Sequence, residues 1–401
     1  MAEKISLNPE ILRWARETAG LTLEEASQKL NLLDARGVSG ADRLCALENG
    51  EEEPTRTLVL KMSKQYHRSL LTFYMSAPPL KGNRGQDFRT LPDGLSGTDE
   101  ALLDALLRDV QARQGMVRAI IEDEGEEEPL SFIGSVKMSD GVSSVLNSIK
   151  DVIRLEVDEF RAQSSPDRAF ALLRNRVETA GIFVLLIGNL GSHHTAIDPE
   201  IFRGFALSDN VAPFIVLNDQ DAHSAWSFTL LHELVHLWLG QTGVSGARAE
   251  IAVEKFCNDV AGEFLLPSQE IMALDIHDST DLEAVKELII DFAKARNLSN
   301  SMVAYKLFRA NLIGYDSWKY LSVSFRTLWI SNRNAQRRKS QDKDGTGPNY
   351  YVVRTHRVGK TLISFVGRMM ASGLITTSKA AKVLGVKSSN VRTLIDVGGS
   401  V

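Results

Sequence analysis

Cysteine is scarce in this sequence, and long hydrophobic runs are missing from it. Only Cys45 and Cys257 occur in 401 residues, far apart, which excludes a disulfide framework and favours a reducing compartment. No run approaches the roughly 18 consecutive apolar residues of a membrane span. The first ten residues, MAEKISLNPE, have no apolar stretch behind a basic head, so we expect no secretory signal. These absences together predict a cytoplasmic protein with no membrane partner.

Charge is more informative by segment than in total. The whole chain has a net charge of −5, with 43% hydrophobic and 24% charged residues, an ordinary composition that excludes a mostly disordered chain. Residues 331–401, however, hold 13 Lys/Arg against 3 Asp/Glu, which leaves 33 basic and 48 acidic residues in 1–330. A basic C-terminal segment suits nucleic acid or an acidic protein surface. A solvated basic face attracted to the acidic part of the chain is the other interpretation.

The chain divides into four regions. Two to three domains are expected from its length. The regions are a helical bundle (1–77), a linker with one helix and an acidic run (78–130), a mixed region extended by helices (131–330) and a basic helical segment (331–401). In the mixed region the spacing predicts helices over Val142–Ala162 and Pro166–Ala180 and short strands over Ile182–Ile187 and Phe214–Leu217. The predicted fold class is therefore mainly α with a small β-sheet (α+β).

The strongest chemical signal is the pattern H-E-x-x-H at His232, Glu233 and His236. Residues four apart lie on one face of a helix, so both imidazoles can reach one metal ion. Glu233 is near enough to hold an attacking water, which zinc activates by lowering its pKa. Chance produces this pattern in about 1% of chains of this length, so the motif favours a metal site over two histidines packed in a core.

A zinc peptidase needs a third protein ligand. Residues 250–267, EIAVEKFCNDVAGEFLLP, have helical apolar spacing and end at a proline. Glu254 can point to the first helix. Glu250 lies four positions earlier, on the same face, and is the alternative ligand.

HELVHLWLG followed by EKFCNDVAGEFLLP resembles the ImmA/IrrE metallopeptidases. The resemblance covers residues 140–330 and favours Glu254 over Glu250. It implies a zincin-like core of the gluzincin type, with Zn²⁺, or alternatively Mn²⁺, held by His232, His236 and Glu254 and with Glu233 as general base. It also implies that the strand at 214–218 is a sheet edge that pairs with an extended substrate.

The resemblance implies two functions. The first is a regulatory zinc endopeptidase that cleaves one protein partner, such as a helix-turn-helix repressor. The second is an antitoxin or transcription regulator that binds a toxin, in which the metal site is structural or weakly active. The intact Glu233 favours the enzyme, because a purely structural site does not need it. A homodimer is compatible with either function.

Both ends of the chain have helix-turn-helix features. Residues 1–77 resemble the XRE-type domain in LRWARETAGLTLEEASQKL and in LENGEEEPT, where Glu48 and Gly50 match its E-x-G pattern. They carry 10 basic and 11 acidic residues, however, and offer only Arg43 for base contacts. Near the C-terminus, GLITTSKAAKVLGVKSSNVRTLI also reads as helix, turn, helix. Small polar and basic residues then open its second helix and are candidate DNA contacts: Lys387, Ser389, Asn390 and Arg392. A helical hairpin docked on the core is the competing interpretation.

Overall fold

The computed structural model describes residues 7–35, 37–79, 97–125, 128–241, 243–244, 251–274, 276, 281–341 and 349–398. It confirms the predicted fold class, with many helices and one small sheet. None of the helices in these ranges is long and apolar enough to cross a membrane. The chain forms two compact units, residues 1–111 with 189–197 and residues 112–188 with 198–401. The four domain limits expected from the sequence stay predictions.

Four short helices form the N-terminal bundle: α1 (Pro9–Glu17), α2 (Leu23–Leu30), α3 (Gly40–Glu48) and α4 (Arg56–Gln65). They enclose their own apolar core, which includes Ile11, Leu30 and Leu44. Thr22 and Glu25 cap α2 reciprocally as the sequence predicts, which satisfies the amides that a helix start leaves unpaired. Long α5 (Gly97–Glu124) follows, in the region predicted to hold one helix.

The sheet has four strands in the order β1-β3-β2-β4: β1 (Phe183–Leu186), β2 (Gly204–Leu207), β3 (Phe214–Leu217) and β4 (Gly243–Val244). β3 runs parallel to β1 and antiparallel to β2, and β4 pairs antiparallel with Phe205 and Ala206 of β2. The expectation that residues 214–218 form a sheet edge is therefore wrong. Both sides of β3 are paired because β2, a four-residue strand that the sequence did not signal, lies beside it.

Helices surround the sheet: α6 (Val142–Ile153), α7 (Val157–Arg161), α8 (Pro166–Thr179), α9 (His223–Trp238), α10 (Ile251–Leu265), α11 (Ser268–Met272), α12 (Leu282–Lys294), α13 (Asn300–Arg309) and α14 (Tyr315–Gln341). The helix predicted over Val142–Ala162 is two helices, because Arg154 adopts the left-handed conformation (φ 50°) and ends α6. All of α9 from Leu230 to Trp238 is buried in one core with the sheet, so its side chains are held rigidly.

Four helices end the described chain: α15 (Tyr350–Val358), α16 (Lys360–Ala371), α17 (Thr377–Leu384) and α18 (Val391–Gly398). The helical spacing of the sequence predicts helices over Lys360–Ala371 and Thr377–Leu384, which are α16 and α17, but it does not predict α15. Within the same compact unit, α15 is joined to the sheet region by an ion pair between Arg357 and Asp219 (2.6 Å). The Arg174 guanidinium also donates to the carbonyl of His356.

Candidate metal centre

His232 and His236 lie one turn apart on α9, and their Nε2 atoms are 3.1 Å from each other. Both residues are about 6% exposed, so the imidazoles face the interior of the molecule. Apart from Glu233, the residues of α9 next to them are apolar, and the helix is buried from Leu230 to Trp238. The sequence pattern alone predicts this pairing, because it depends only on the pitch of an α-helix.

Glu254 of α10 faces the two imidazoles. Its Oε2 is 3.1 Å from Nε2 of His232, and its Oε1 is 3.3 Å from Nε2 of His236. In a tetrahedral zinc site with bonds of 2.0–2.1 Å, two ligand atoms are about 3.3 Å apart. The three donor atoms therefore fit around one small divalent cation. Glu250 lies outside the described residues.

Cys257 also lies near the two histidines. One possible ligand atom from each of His232, His236 and Cys257 lies within 4.8 Å of the other two. Its Sγ contacts His236 at Nδ1, at 3.9 Å. That nitrogen is on the other edge of the ring from Nε2, which faces Glu254. We therefore regard Glu254 as the better third donor. Burial raises the pKa of the Cys257 thiol, which favours a neutral neighbour of the ring.

Side-chain oxygens orient both imidazoles. Nδ1 of His232 lies 3.0 Å from Oδ1 of Asn258, and Nδ1 of His236 lies 3.4 Å from Oε1 of Gln241. An amide oxygen can only accept, so these contacts favour the neutral tautomer with its proton on Nδ1, in which Nε2 is the atom that can bind a metal. Such contacts fix the tautomer that a metal requires.

Local backbone geometry brings Gln241 to this position. Gly240 has φ +70° and ends α9, and the amide of Gln241 then donates back to the carbonyl of His236. A glycine at this position is typical of a helix end, but its consequence for His236 has no signal in the sequence. Asn258 lies four residues after Glu254, so both lie on one face of α10.

Glu233 is 1% exposed and packs against the backbone of β2. A Cβ on Gly204 would lie 3.0 Å from Oε1 of Glu233 and 2.8 Å from Cγ2 of Thr229. Only glycine leaves room for the carboxylate at this point of the strand. Gly204 was missed from the sequence, because nothing local marks a four-residue strand as the neighbour of α9.

The electrostatics of the pocket favour a cation. Burial raises the pKa of Glu254, but its close contacts with the imidazoles of His232 and His236 outweigh this effect and lower the pKa to about 2. Burial likewise lowers the pKa of His236, and its contacts with Cys257 and Glu254 outweigh this effect and raise the pKa well above its usual value. The carboxylates of the buried Glu233 and the half-buried Glu254 thus attract positive charge to the imidazoles.

The remaining candidate residues lie at the two ends of the chain. Arg43 is half-buried and donates to the carbonyl of Leu33 at 2.7 Å. Lys387, Ser389 and Arg392 are exposed, and Asn390 is half-buried, at the start of the last helix.

Comparison with known families places the metal centre in a recognised domain. Residues 187–308 match the family model of the IrrE N-terminal-like domain, peptidase family M78. The match contains β2, β3, α9 and α10 and supports an ImmA/IrrE-type metallopeptidase domain in this segment. It does not extend to residues 1–77, where the XRE interpretation stays a prediction. Comparisons with curated proteins and with solved structures give no match.

Proposed function

We propose that this protein is a regulatory zinc-dependent endopeptidase. The observation that carries the proposal is that Nε2 of His232, Nε2 of His236 and the carboxylate of Glu254 lie 3.1–3.3 Å from one another. The buried Glu233 directly follows His232 in the chain. His232, His236 and Glu254 are the proposed ligands of Zn²⁺, with Mn²⁺ as the alternative metal. The two unbridged cysteines, Cys45 and Cys257, are consistent with a cytoplasmic location.

Zinc bound at this site would supply a Lewis acid that polarises the scissile carbonyl and lowers the pKa of a water molecule. Glu233 is the proposed general base: its carboxylate takes a proton from the attacking water and delivers it to the leaving amine. Its packing against Gly204 holds the carboxylate in place. Asn258 and Gln241 hold the imidazoles so that Nε2 of each faces the cation.

The proposed substrate is a single protein partner, such as a helix-turn-helix repressor. The ImmA/IrrE resemblance supports this substrate class. An extended peptide could pair with the sheet only at an edge, and the edges of the described sheet are β1 and β4. The substrate strand is therefore not expected on β3.

A comparison of Glu233→Gln with the wild-type chain tests the activity even while the substrate is unidentified. Each form is expressed in cells, and new protein N-termini are labelled and identified by mass spectrometry. We expect termini that appear with the wild type and disappear with Glu233→Gln, while zinc content stays near one per chain. Identical sets of termini from both forms contradict the proposed mechanism.

Two glutamates serve as matched variants for the ligand assignment. Glu254→Ala should lose zinc after dialysis, and Glu250→Ala, the same change four residues earlier, should keep it. Loss of zinc from Glu250→Ala alone would reassign the third ligand.

A second candidate function is that of an antitoxin or transcription regulator. It is favoured by the N-terminal bundle, which has its own buried core and contributes no residue to the metal centre. The two functions can be separated by measuring whether the wild-type chain and Glu233→Gln each neutralise a toxin encoded beside this gene. Neutralisation that survives Glu233→Gln supports the binding role, and neutralisation that this variant abolishes supports proteolysis.

A further inference from the structure

The last helices of the chain carry an unbalanced basic surface. From Asn349 to Val401 the sequence has eight Lys/Arg against one carboxylate, Asp396. Two of the eight have internal partners: Arg354 donates to the carbonyl of Gly385, and Arg357 pairs with Asp219. The other six form no ion pair within the described chain, and all are at least partly exposed: Lys360, Arg368, Lys379, Lys382, Lys387 and Arg392.

α17 and α18 form a compact helix-turn-helix. Thr376 caps α17, and Gly385, with φ +62°, ends it in the left-handed conformation. A 3₁₀ turn over Ser388–Asn390 then leads directly into α18. Only three residues separate α17 from that turn, a spacing typical of DNA-binding helix pairs.

The two faces of α18 differ in kind. Val391 and Leu394 are fully buried against the neighbouring helices, so they anchor α18. Ser389, Arg392, Thr393 and Asp396 are exposed and follow helical spacing along the opposite face, which ends at the exposed Val397. The N-terminal turn of this face carries only short polar and basic side chains, and a helix start of this kind can enter a major groove and reach base edges and phosphates.

The N-terminal bundle starts from the same pattern but departs from it at the turn. In each helix pair a Thr caps the first helix, an Ala follows four positions later, a Leu eight positions later, and a residue in the left-handed conformation nine positions later. These residues are Thr22, Ala26, Leu30 and Asn31 in α2, and Thr376, Ala380, Leu384 and Gly385 in α17. In the N-terminal pair eight residues separate Asn31 from α3, and Arg43 is engaged with Leu33. Basic and acidic residues are also nearly balanced there.

We infer that α17 and α18, rather than the N-terminal bundle, bind double-stranded DNA, with α18 in the major groove and the surrounding Lys and Arg side chains on phosphates. This site is separate from the metal centre and does not depend on peptidase activity. Its affinity should be salt-dependent, because each neutralised phosphate releases counterions.

Fluorescence anisotropy of the full-length, zinc-loaded chain with a labelled random-sequence duplex of about 30 base pairs tests the inference. At about 50 mM salt we expect binding that the double variant Lys387→Ala/Arg392→Ala weakens at least about tenfold. The slope of log K against log salt should fall by about 1.8, the value for two lost phosphate contacts. Circular dichroism checks that the variant is folded.

Two controls make the result specific. Lys294→Ala/Lys319→Ala removes two exposed cations outside this surface and should leave binding unchanged, as should Arg43→Ala. The inference is overturned if the wild type does not bind the duplex, or if both double variants lose affinity equally. It is also overturned if poly-glutamate of equal total charge competes as well as unlabelled duplex, which would indicate an acidic protein as the partner.

Discussion

At the scale of single residues, the candidate metal centre combines groups that sequence spacing reveals with groups that only the fold brings in. His232, Glu233 and His236 share one helical turn, so their relation was predictable from the pattern H-E-x-x-H. Gly204 and Gln241 meet this turn through tertiary packing. No local pattern marks such contacts, because the approach of β2 to α9 depends on the whole core.

Gly204→Ala is expected to reduce peptidase turnover at least about tenfold while zinc content is unchanged. The added methyl group would collide with Thr229 and press on Glu233, displacing the general base from its position. Turnover is measured on the substrate identified by N-terminal labelling, with metal analysis of the same sample. Wild-type turnover would show that the carboxylate does not need this close packing.

Asn258→Ala is expected to weaken zinc binding about 10- to 100-fold, because His232 loses the acceptor that fixes its tautomer. Asn258→Asp keeps an acceptor oxygen and should retain most of the affinity. Competition with a chelator of known zinc affinity measures both variants. Equal losses in the two variants would contradict the orienting role and indicate a general packing defect.

At the scale of elements, the N-terminal bundle shows why its two XRE-like motif residues occur where they do. Glu48 forms a bidentate ion pair with Arg16, at 2.8 and 2.9 Å, and both side chains are buried. Gly50 has φ +78°, and a Cβ there would lie 2.9 Å from Cγ of Pro9. Both residues therefore have structural reasons for their positions that do not require DNA.

Glu48→Ala is expected to destabilise the N-terminal bundle by about 3–5 kcal/mol, because Arg16 would remain buried without its counter-charge. Hydrogen exchange of α1–α4 in the full chain measures the loss locally. Glu17→Ala serves as the control, because Glu17 is a more exposed partner of Arg16, at 3.6 Å, and its loss should have little effect. Unchanged protection of α1–α4 in Glu48→Ala would contradict the structural role of the pair.

The element predictions failed where short segments depend on tertiary context. β2 has four residues and no alternation, since every residue of the strand is buried. The break at Arg154 carries no glycine or proline, so no local signal marks the end of α6. By contrast, α8 and α17 were predictable from their caps and spacing, which are local.

At the scale of the whole molecule, chemistry and charge lie in different parts of the sequence. The segment that matches the peptidase family holds every proposed metal ligand, and the C-terminal helices hold the unpaired basic surface. The charge asymmetry was evident from composition. Composition could not distinguish a solvated face from a binding surface, because that depends on which cations have carboxylate partners in the fold.

X-ray absorption at the zinc edge tests the central claim, a metal held by His232, His236 and Glu254, most directly. We expect one zinc per chain with only nitrogen and oxygen neighbours, at about 2.0–2.1 Å. The spectrum of Cys257→Ser should match that of the wild type. A sulfur neighbour at about 2.3 Å, absent from Cys257→Ser, would contradict the account and make Cys257 the third ligand.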